Sequence, residues 1–379
     1  MRVSNLEKFI SRENCGICGS KELEPKIVLY DMPIYMGVSN YPADEDKFFE
    51  QNWAECVSCG CIQLKKLIPL NLLYSHSHNS VIGNIWHNHH LEFMKFVLES
   101  KPDNILEIGA GDGYLANLIL MNREMNYTII EPNPHFNNDK VNLIEDIVEN
   151  NFHEVFKSDT IIHSHVLEHL YEPLTFLNDL SENLKEGAKL IFSIPNIPRL
   201  ISLQGGNALN FEHTYMLDIR QLEIIMESLG FQLISKATFQ EHSYFYSYIK
   251  TQKNKNLDFL IPNISDSSKD FQIMFKKLDK FVQKINRNLK MGDNNYIFGA
   301  HVFTQILFNR GLNPLLFKAV LDNSEDKIGK RLYGTDLMVQ SPIVLTSINK
   351  GKVVLKATHY QDEIKEQIEK INSSILILE

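Results

Sequence analysis

Cysteine is missing from everything after residue 61: the five cysteines of this 379-residue chain all lie between Cys15 and Cys61. An odd, clustered set of five does not suit a disulfide-stapled fold, and in a cytosolic chain it points first to metal binding. Long hydrophobic runs are also missing, since no stretch approaches the roughly 18 consecutive apolar residues of a membrane span. The start, Met1-Arg2-Val3-Ser4-Asn5-Leu6-Glu7, has no apolar core or cleavage site, so no secretory signal is expected and the expected location is cytoplasmic. Positive charge is in short supply: 38 Lys and Arg stand against 47 Asp and Glu, a net charge of −9. That balance argues against a nucleic-acid polymer as the main partner, although a local basic patch can still hold a small phosphorylated ligand. What is present is the profile of a globular chain, 44% hydrophobic and 22% charged, long enough for two or three domains.

The cysteines fall into two matching halves, Cys15-Gly16-Ile17-Cys18-Gly19 and Cys56-Val57-Ser58-Cys59-Gly60. Two cysteines separated by two residues can turn both sulfurs toward one tetrahedral ion, and a glycine after the second suits the tight turn. Four thiolates close the coordination shell, so Cys15, Cys18, Cys56 and Cys59 are expected to hold a structural zinc. Buried free thiols or a redox pair are the alternatives. The module is placed at residues 1–75, with Lys26 to Phe49 expected to loop out as an insertion and Cys61 to pack as a small apolar residue. A histidine-rich stretch follows, from His76 and His78 to His87, His89 and His90. Its second part opens an amphipathic helix carrying Trp86, Phe93 and Val97. No carboxylate completes a second metal site there, and a polar wall of a substrate cleft is the expected role.

Residues 104–113 read Asn-Ile-Leu-Glu-Ile-Gly-Ala-Gly-Asp-Gly: an apolar strand runs into a glycine-rich turn, and a helix is expected to begin near Tyr114. Glycines at 109, 111 and 113 let the backbone bend sharply and admit a ligand against it. The spacing differs from the Gly-x-Gly-x-x-Gly of dinucleotide binders. The next strand, Tyr127 to Ile130, delivers Glu131 to its C-terminal edge, where a carboxylate can accept hydrogen bonds from both hydroxyls of a ribose.

These residues resemble class I S-adenosylmethionine-dependent methyltransferases. The likeness continues through Asp159-Thr160-Ile161-Ile162-His163-Ser164-His165-Val166-Leu167-Glu168-His169 as that fold's fourth strand and following loop. Leu184 to Pro195 resembles the fifth strand with its preceding turn, Phe231 to Phe239 the sixth and Tyr244 to Lys250 the seventh. The resemblance implies an α/β fold with a Rossmann-like sheet over residues 76–250. It also implies that Glu107, Gly109, Gly111 and Gly113 line the methionine side of the cofactor, Glu131 grips its ribose, Asp146 sits near the adenine and His165 lies at the cofactor.

From Phe271 the apolar residues step by four and three through Phe275, Leu278, Val282, Ile285 and Leu289, one stripe of a long helix expected to pack the last domain against the core. Residues 251–290 read as linker and packing helix. Strands near Tyr296–Ala300, Phe317–Leu321, Val353–Lys356 and Ile375–Leu378, with helices between, predict a small parallel α/β layer over 291–379. Its single-glycine turn disfavours dinucleotide binding, and Asp322 reads as a turn residue.

The three parts in this order resemble the sugar C-methyltransferases of deoxysugar biosynthesis, of the mycarose and kijanose type. The motifs are the paired Cys-x-x-Cys-Gly with Gln63-Leu64 following, Glu212-His213 with Tyr215 close behind, the Gly299-Ala300 turn, Asp322-Asn323-Ser324, Lys327 to Arg331 and Gly334-Thr335. The likeness implies that a zinc module, a methyltransferase domain and a Rossmann-like C-terminal α/β domain enclose a nucleotide-linked keto sugar, with Glu212-His213 supplying the base. Two segments depart from the family: Val302-Phe303-Thr304 stands where it has Lys-Gly-Asn, and its tyrosine-rich segment before the cofactor domain is histidine-rich here. Carbon beside a ketone is nucleophilic only as its enolate, which needs a base near the carbon and a donor near the carbonyl oxygen. His213 can take the proton at neutral pH, Glu212 can hold the sugar's hydroxyls, and His76, His78 and Tyr215 are candidates to polarise the carbonyl. Methylation of a sugar oxygen, or a non-catalytic protein that kept the fold, remain the alternatives. A further reading of Glu212-His213 is as a cap for the helix after it.

Overall fold

The computed structural model describes residues 9–73, 84–203, 205–252, 261–263 and 266–379. His76 and His78 lie outside the described residues. At the centre is a seven-stranded sheet whose strands, in chain order, are β1 Asn104–Ile108, β2 Asn126–Ile130, β3 Asn142–Ile144, β4 Thr160–Ser164, β5 Lys189–Pro195, β6 Phe231–Phe239 and β7 Ser243–Lys250. Their spatial order is 3-2-1-4-5-7-6, with β1 to β5 parallel and β7 antiparallel to both neighbours. The inner strands are buried on both faces, which is why they are short continuous apolar runs rather than alternating ones. Helices Asn84–Glu99 and Tyr114–Asn122 cover one face through Phe93, Val97, Leu115 and Ile119. Helices Pro173–Asn183 and Ile219–Ser228 cover the other through Phe176, Leu180, Leu222 and Ile225. Strand order reverses between β1 and β4, so the crevice that such sheets offer to ligands opens at their C-terminal ends.

The cysteine module is built on a second sheet. Leu23–Pro33 pairs antiparallel with Phe48–Cys56, which pairs with Ile62–Leu64, which in turn takes Tyr215–Met216 as its edge strand. This corrects the expected insertion: only the middle of Lys26 to Phe49 is a connection, and its two ends are paired strands. Arg12 fastens the two sheets together. Its buried guanidinium donates to the carbonyls of Leu64, Thr214 and Tyr171.

The C-terminal layer has five parallel strands in the order Val339–Gln340, Ala319–Leu321, Asn295–Phe298, Gly351–Val354 and Ile375–Leu378. The first was not foreseen, because two residues leave too little pattern to see. Helix Asp266–Asn288 buries its predicted stripe in one cluster with Leu29 and Trp53 of the cysteine-module sheet and Ile297 and Val302 of the C-terminal layer. The same cluster takes in Ile197, Leu200 and Ile201 of helix Ile197–Ser202, so the long helix packs against the methyltransferase domain as well as those two parts, with Trp53 and Phe271 ring centres 5.9 Å apart.

Candidate active site

The turn after β1 is built as its glycines require. Gly109, Gly111 and Gly113 have φ of 73°, 57° and 70°, values that side-chain-bearing residues rarely adopt. A Cβ at Gly109 would stand 2.6 Å from Val166 Cγ2, and one at Gly113 would stand 2.6 Å from the Phe136 ring. At Gly111 the space is open, so this backbone can be approached closely by a ligand. Glu131 lies just past β2 and spans the turn: its carboxylate accepts from the N–H of Gly111 and of Asn133, both at 3.0 Å. Glu107 is buried inside β1 and accepts from the Tyr127 hydroxyl at 2.7 Å, and burial pushes its carboxyl up to about 7. Asp146 stands beyond β3, held by Ile147 N–H, Asn150 and Asn151, and the first of these bonds is the main reason its carboxyl lies below the usual range.

The loop after β4 runs against that turn through the Val166 contact. It carries His165, at φ 55°, whose Nε2 lies 3.1 Å from Ser243 Oγ and whose Nδ1 lies 3.1 Å from Glu168 Oε1. It also carries Glu168 and His169. The chain returns to this loop at Thr214, whose N–H donates to the Glu168 carbonyl at 3.1 Å. Immediately before it, the Asn210 side chain accepts from the N–H of both Glu212 and His213, a local turn that presents the two side chains together. Four groups thereby meet: Glu212 Oε2 is 3.6 Å from His169 Nδ1, and the His169 and His213 ring centres are 5.1 Å apart at 84°. Burial holds His213 down at about 4.

Glu168 and His169 had no role in the sequence reading. The signal was the His-Val-Leu-Glu-His run itself, a carboxylate and an imidazole side by side where a parallel strand ends. Three expectations are corrected here. Tyr215 is buried and its hydroxyl donates to the Leu167 carbonyl, so it is spent on backbone rather than offered to a substrate. The helix that follows Glu212-His213 is capped by Asp218 through a capping box with Gln221, so the pair is not its cap. His89, expected on a polar wall, is fully buried among Trp86, Phe93, His165 and Phe245, with neither ring nitrogen hydrogen-bonded.

The C-terminal layer reaches the same place. Helix Val302–Asn309 packs against residues 206–208, close enough that a Cβ on Gly206 would meet Phe303 at 2.6 Å. His301, at the head of that helix, is pulled down to about 4 by burial and by the Lys327 charge, with Glu212 and His213 among the groups it feels. Asp322 accepts from the N–H of Ala300 and of Ser324 and pairs with Lys327, so it closes its own turn.

In the N-terminal module the four cysteine sulfurs converge. Cys15 and Cys59 Sγ are 3.7 Å apart, Cys18 and Cys56 Sγ 3.5 Å, and all four lie within 4.8 Å of one another. A tetrahedron with arms of about 2.3 Å has edges of about 3.8 Å, so the donor set fits a zinc ion. Cys61 is buried beside it and its thiol is pushed up by burial.

Comparison with known proteins follows the same lines. Residues 86–236 match the family model of a methyltransferase domain. Among solved structures, the chain is similar to the N-methyltransferase NodS from Bradyrhizobium japonicum WM9, at 12% identity over 45% of this chain and 89% of that one, with a TM-score of 0.33. It is also similar to the 1,6-didemethyltoxoflavin-N1-methyltransferase of Burkholderia thailandensis, at 12% identity over 45% and 82% of the two chains, with a TM-score of 0.35. No curated protein matches the chain. The chain carries a class I methyltransferase domain, and its activity is S-adenosylmethionine-dependent methyl transfer. Among the described residues no helix is long and apolar enough to cross a membrane.

Proposed function

We propose that the protein methylates a nucleotide-linked keto sugar at the carbon beside its carbonyl. The sequence likeness to deoxysugar C-methyltransferases supplies the substrate class. The observation that carries the chemistry is the meeting of Glu212 and His213 with Glu168 and His169, the latter two on the loop that abuts the cofactor turn at Gly109. A held base serves transfer to carbon, which passes through an enolate, and transfer to a hydroxyl alike, so the preference for carbon rests on the sequence likeness. S-adenosylmethionine, when bound, supplies the electrophilic methyl group on its sulfonium. Glu107 and the turn of Gly109, Gly111 and Gly113 hold its methionine side, Glu131 its ribose and Asp146 its adenine, with His165 close by. The Glu212–His213 pair removes the proton, and His301 brings the C-terminal layer to the sugar. Cys15, Cys18, Cys56 and Cys59 hold a structural zinc, whose module anchors the strand Tyr215–Met216 just after the pair.

The test is hydrogen exchange at carbon. With S-adenosylhomocysteine bound so that no methyl transfer hides the event, a keto-sugar nucleotide incubated in deuterated water should gain deuterium at the carbon to be methylated. The Glu212→Gln and His213→Asn variants should each exchange about 10²–10⁴-fold more slowly. Absence of carbon-bound deuterium with a substrate shown to turn over moves the acceptor to oxygen.

A further inference from the structure

We infer that Glu168, His169 and His213 seat a divalent cation, distinct from the cysteine-bound one, in the floor of the acceptor site. The inference deepens the proposed function and rests on it for the identity of the acceptor. One ligand atom from each of the three residues lies within 4.8 Å of the other two. Bonds of about 2.0–2.2 Å require ligand atoms roughly 3–4 Å apart, so small side-chain rotations close this set onto an ion. Two imidazoles and one carboxylate are the donors that first-row divalent ions such as manganese, iron, cobalt or zinc accept while keeping positions open for a substrate.

The second observation is the state of the buried polar atoms. Glu168 is 5% exposed; His165 Nδ1 pairs with its Oε1 at 3.1 Å, and its Oε2 has no hydrogen-bond partner. His213 Nδ1 is likewise buried without a partner. Buried polar groups are ordinarily hydrogen-bonded, and a carboxylate oxygen or ring nitrogen left over is expensive to bury. A cation between them satisfies both. Glu212, 3.6 Å from His169 Nδ1, is the outer carboxylate that orients a ligating imidazole. The side chain of His169 remains 26% exposed, so the cluster is closed behind Glu168 and open toward the cleft. A structural ion would be enclosed on all sides; an open one takes substrate oxygens.

Such an ion places a positive charge where the acceptor's carbonyl oxygen needs one. With His213 on the ion, the proton falls to Glu212. The C–H bond breaks, a new O–H bond forms on the Glu212 carboxylate, and the bonding pair moves through the carbon to the carbonyl oxygen. That oxygen becomes an enolate facing the cation. A keto sugar with a hydroxyl beside its carbonyl offers the ion two adjacent oxygens.

The experiment uses the full chain, treated with a mild chelator until one zinc per chain remains, and titrated with Mn2+ alone. Loss of the free-Mn2+ paramagnetic resonance signal counts the bound ion. The parent should bind one Mn2+ per chain. His169→Ala changes a partly exposed side chain and so should fold, and it should bind at least tenfold more weakly with unchanged S-adenosylmethionine affinity. Glu168→Gln should lose the ion as well. Equal Mn2+ binding by the parent and His169→Ala overturns the site. The two readings fail separately. Carbon deuteration that proceeds at full rate in protein holding only the cysteine-bound zinc removes the cation and keeps the sugar chemistry. Specific Mn2+ binding without any deuteration keeps the cation and removes the keto-sugar acceptor.

Discussion

Replacing Gly109 by alanine perturbs the contact that ties the cofactor turn to the acceptor loop. Two separate penalties are legible in the structure. At φ 73° an alanine costs about 1–2 kcal/mol in backbone conformation alone. Its methyl would also stand 2.6 Å from Val166 Cγ2, against a normal carbon–carbon separation of about 3.5–4.0 Å. Forcing that overlap into a packed site costs about a further 1–3 kcal/mol, so Gly109→Ala should destabilise the protein by about 2–5 kcal/mol. The second penalty is removable and the first is not. In Val166→Ala/Gly109→Ala the clash is gone while the strained φ remains, so the two substitutions should couple favourably by about 1–3 kcal/mol. Urea unfolding of the parent, both single variants and the double variant measures this coupling directly. Because Val166 precedes Glu168 and His169, turnover of the Gly109→Ala variant should also recover in the double variant. Additivity within about 0.5 kcal/mol, the limit expected of independent sites, would refute the contact between turn and loop.

Three further outcomes follow from the site. Fresh protein should hold about one zinc per chain on its cysteines, with Cys56→Ser poorly soluble and Cys61→Ser like the parent; metal analysis without zinc ends that assignment. Glu131→Ala removes the two charge-assisted hydrogen bonds expected to the ribose hydroxyls, each worth about 1.5–3 kcal/mol, and should weaken S-adenosylmethionine binding in a calorimetric titration; unchanged affinity would show that the ribose is held elsewhere. Burial raises Glu107 from the usual carboxylate value to about 7, so the folded state favours its protonated form. Its contribution to stability is then fully present below about pH 4.5 and lost as pH rises through 7, by up to about 3 kcal/mol. Glu107→Gln should flatten the fall in stability between pH 5 and 7.5, and stability curves of parent and variant that run parallel would contradict the burial argument.

Local chemistry was legible in the sequence because its determinants are neighbours along the chain. The paired Cys-x-x-Cys-Gly halves, the glycines that need positive φ, Glu131 at a strand's end and the stripe from Phe271 to Leu289 each follow from spacing and conformational freedom within one element. The central sheet was expected from the resemblance of these segments to class I methyltransferases, each segment a short apolar run followed by a turn or helix. What only the tertiary structure decided is which side chains meet across elements. The strand pairing of Leu23–Pro33 with Phe48–Cys56, the commitment of the Tyr215 hydroxyl to Leu167, the burial of His89 among aromatic rings and the contact of Gly109 with Val166 all depend on how separate segments close on one another. The acceptor site is the clearest case. Glu168 and His169 stand at the end of β4, Glu212 and His213 beyond β5, and no local pattern joins them. They meet because Thr214 hydrogen-bonds the Glu168 backbone, Asn210 turns the chain ahead of it and Arg12 holds both sides to the cysteine module. The local Asn210 turn and the long-range bonds of Thr214 and Arg12 bring together charged and imidazole groups that neither segment would keep together on its own.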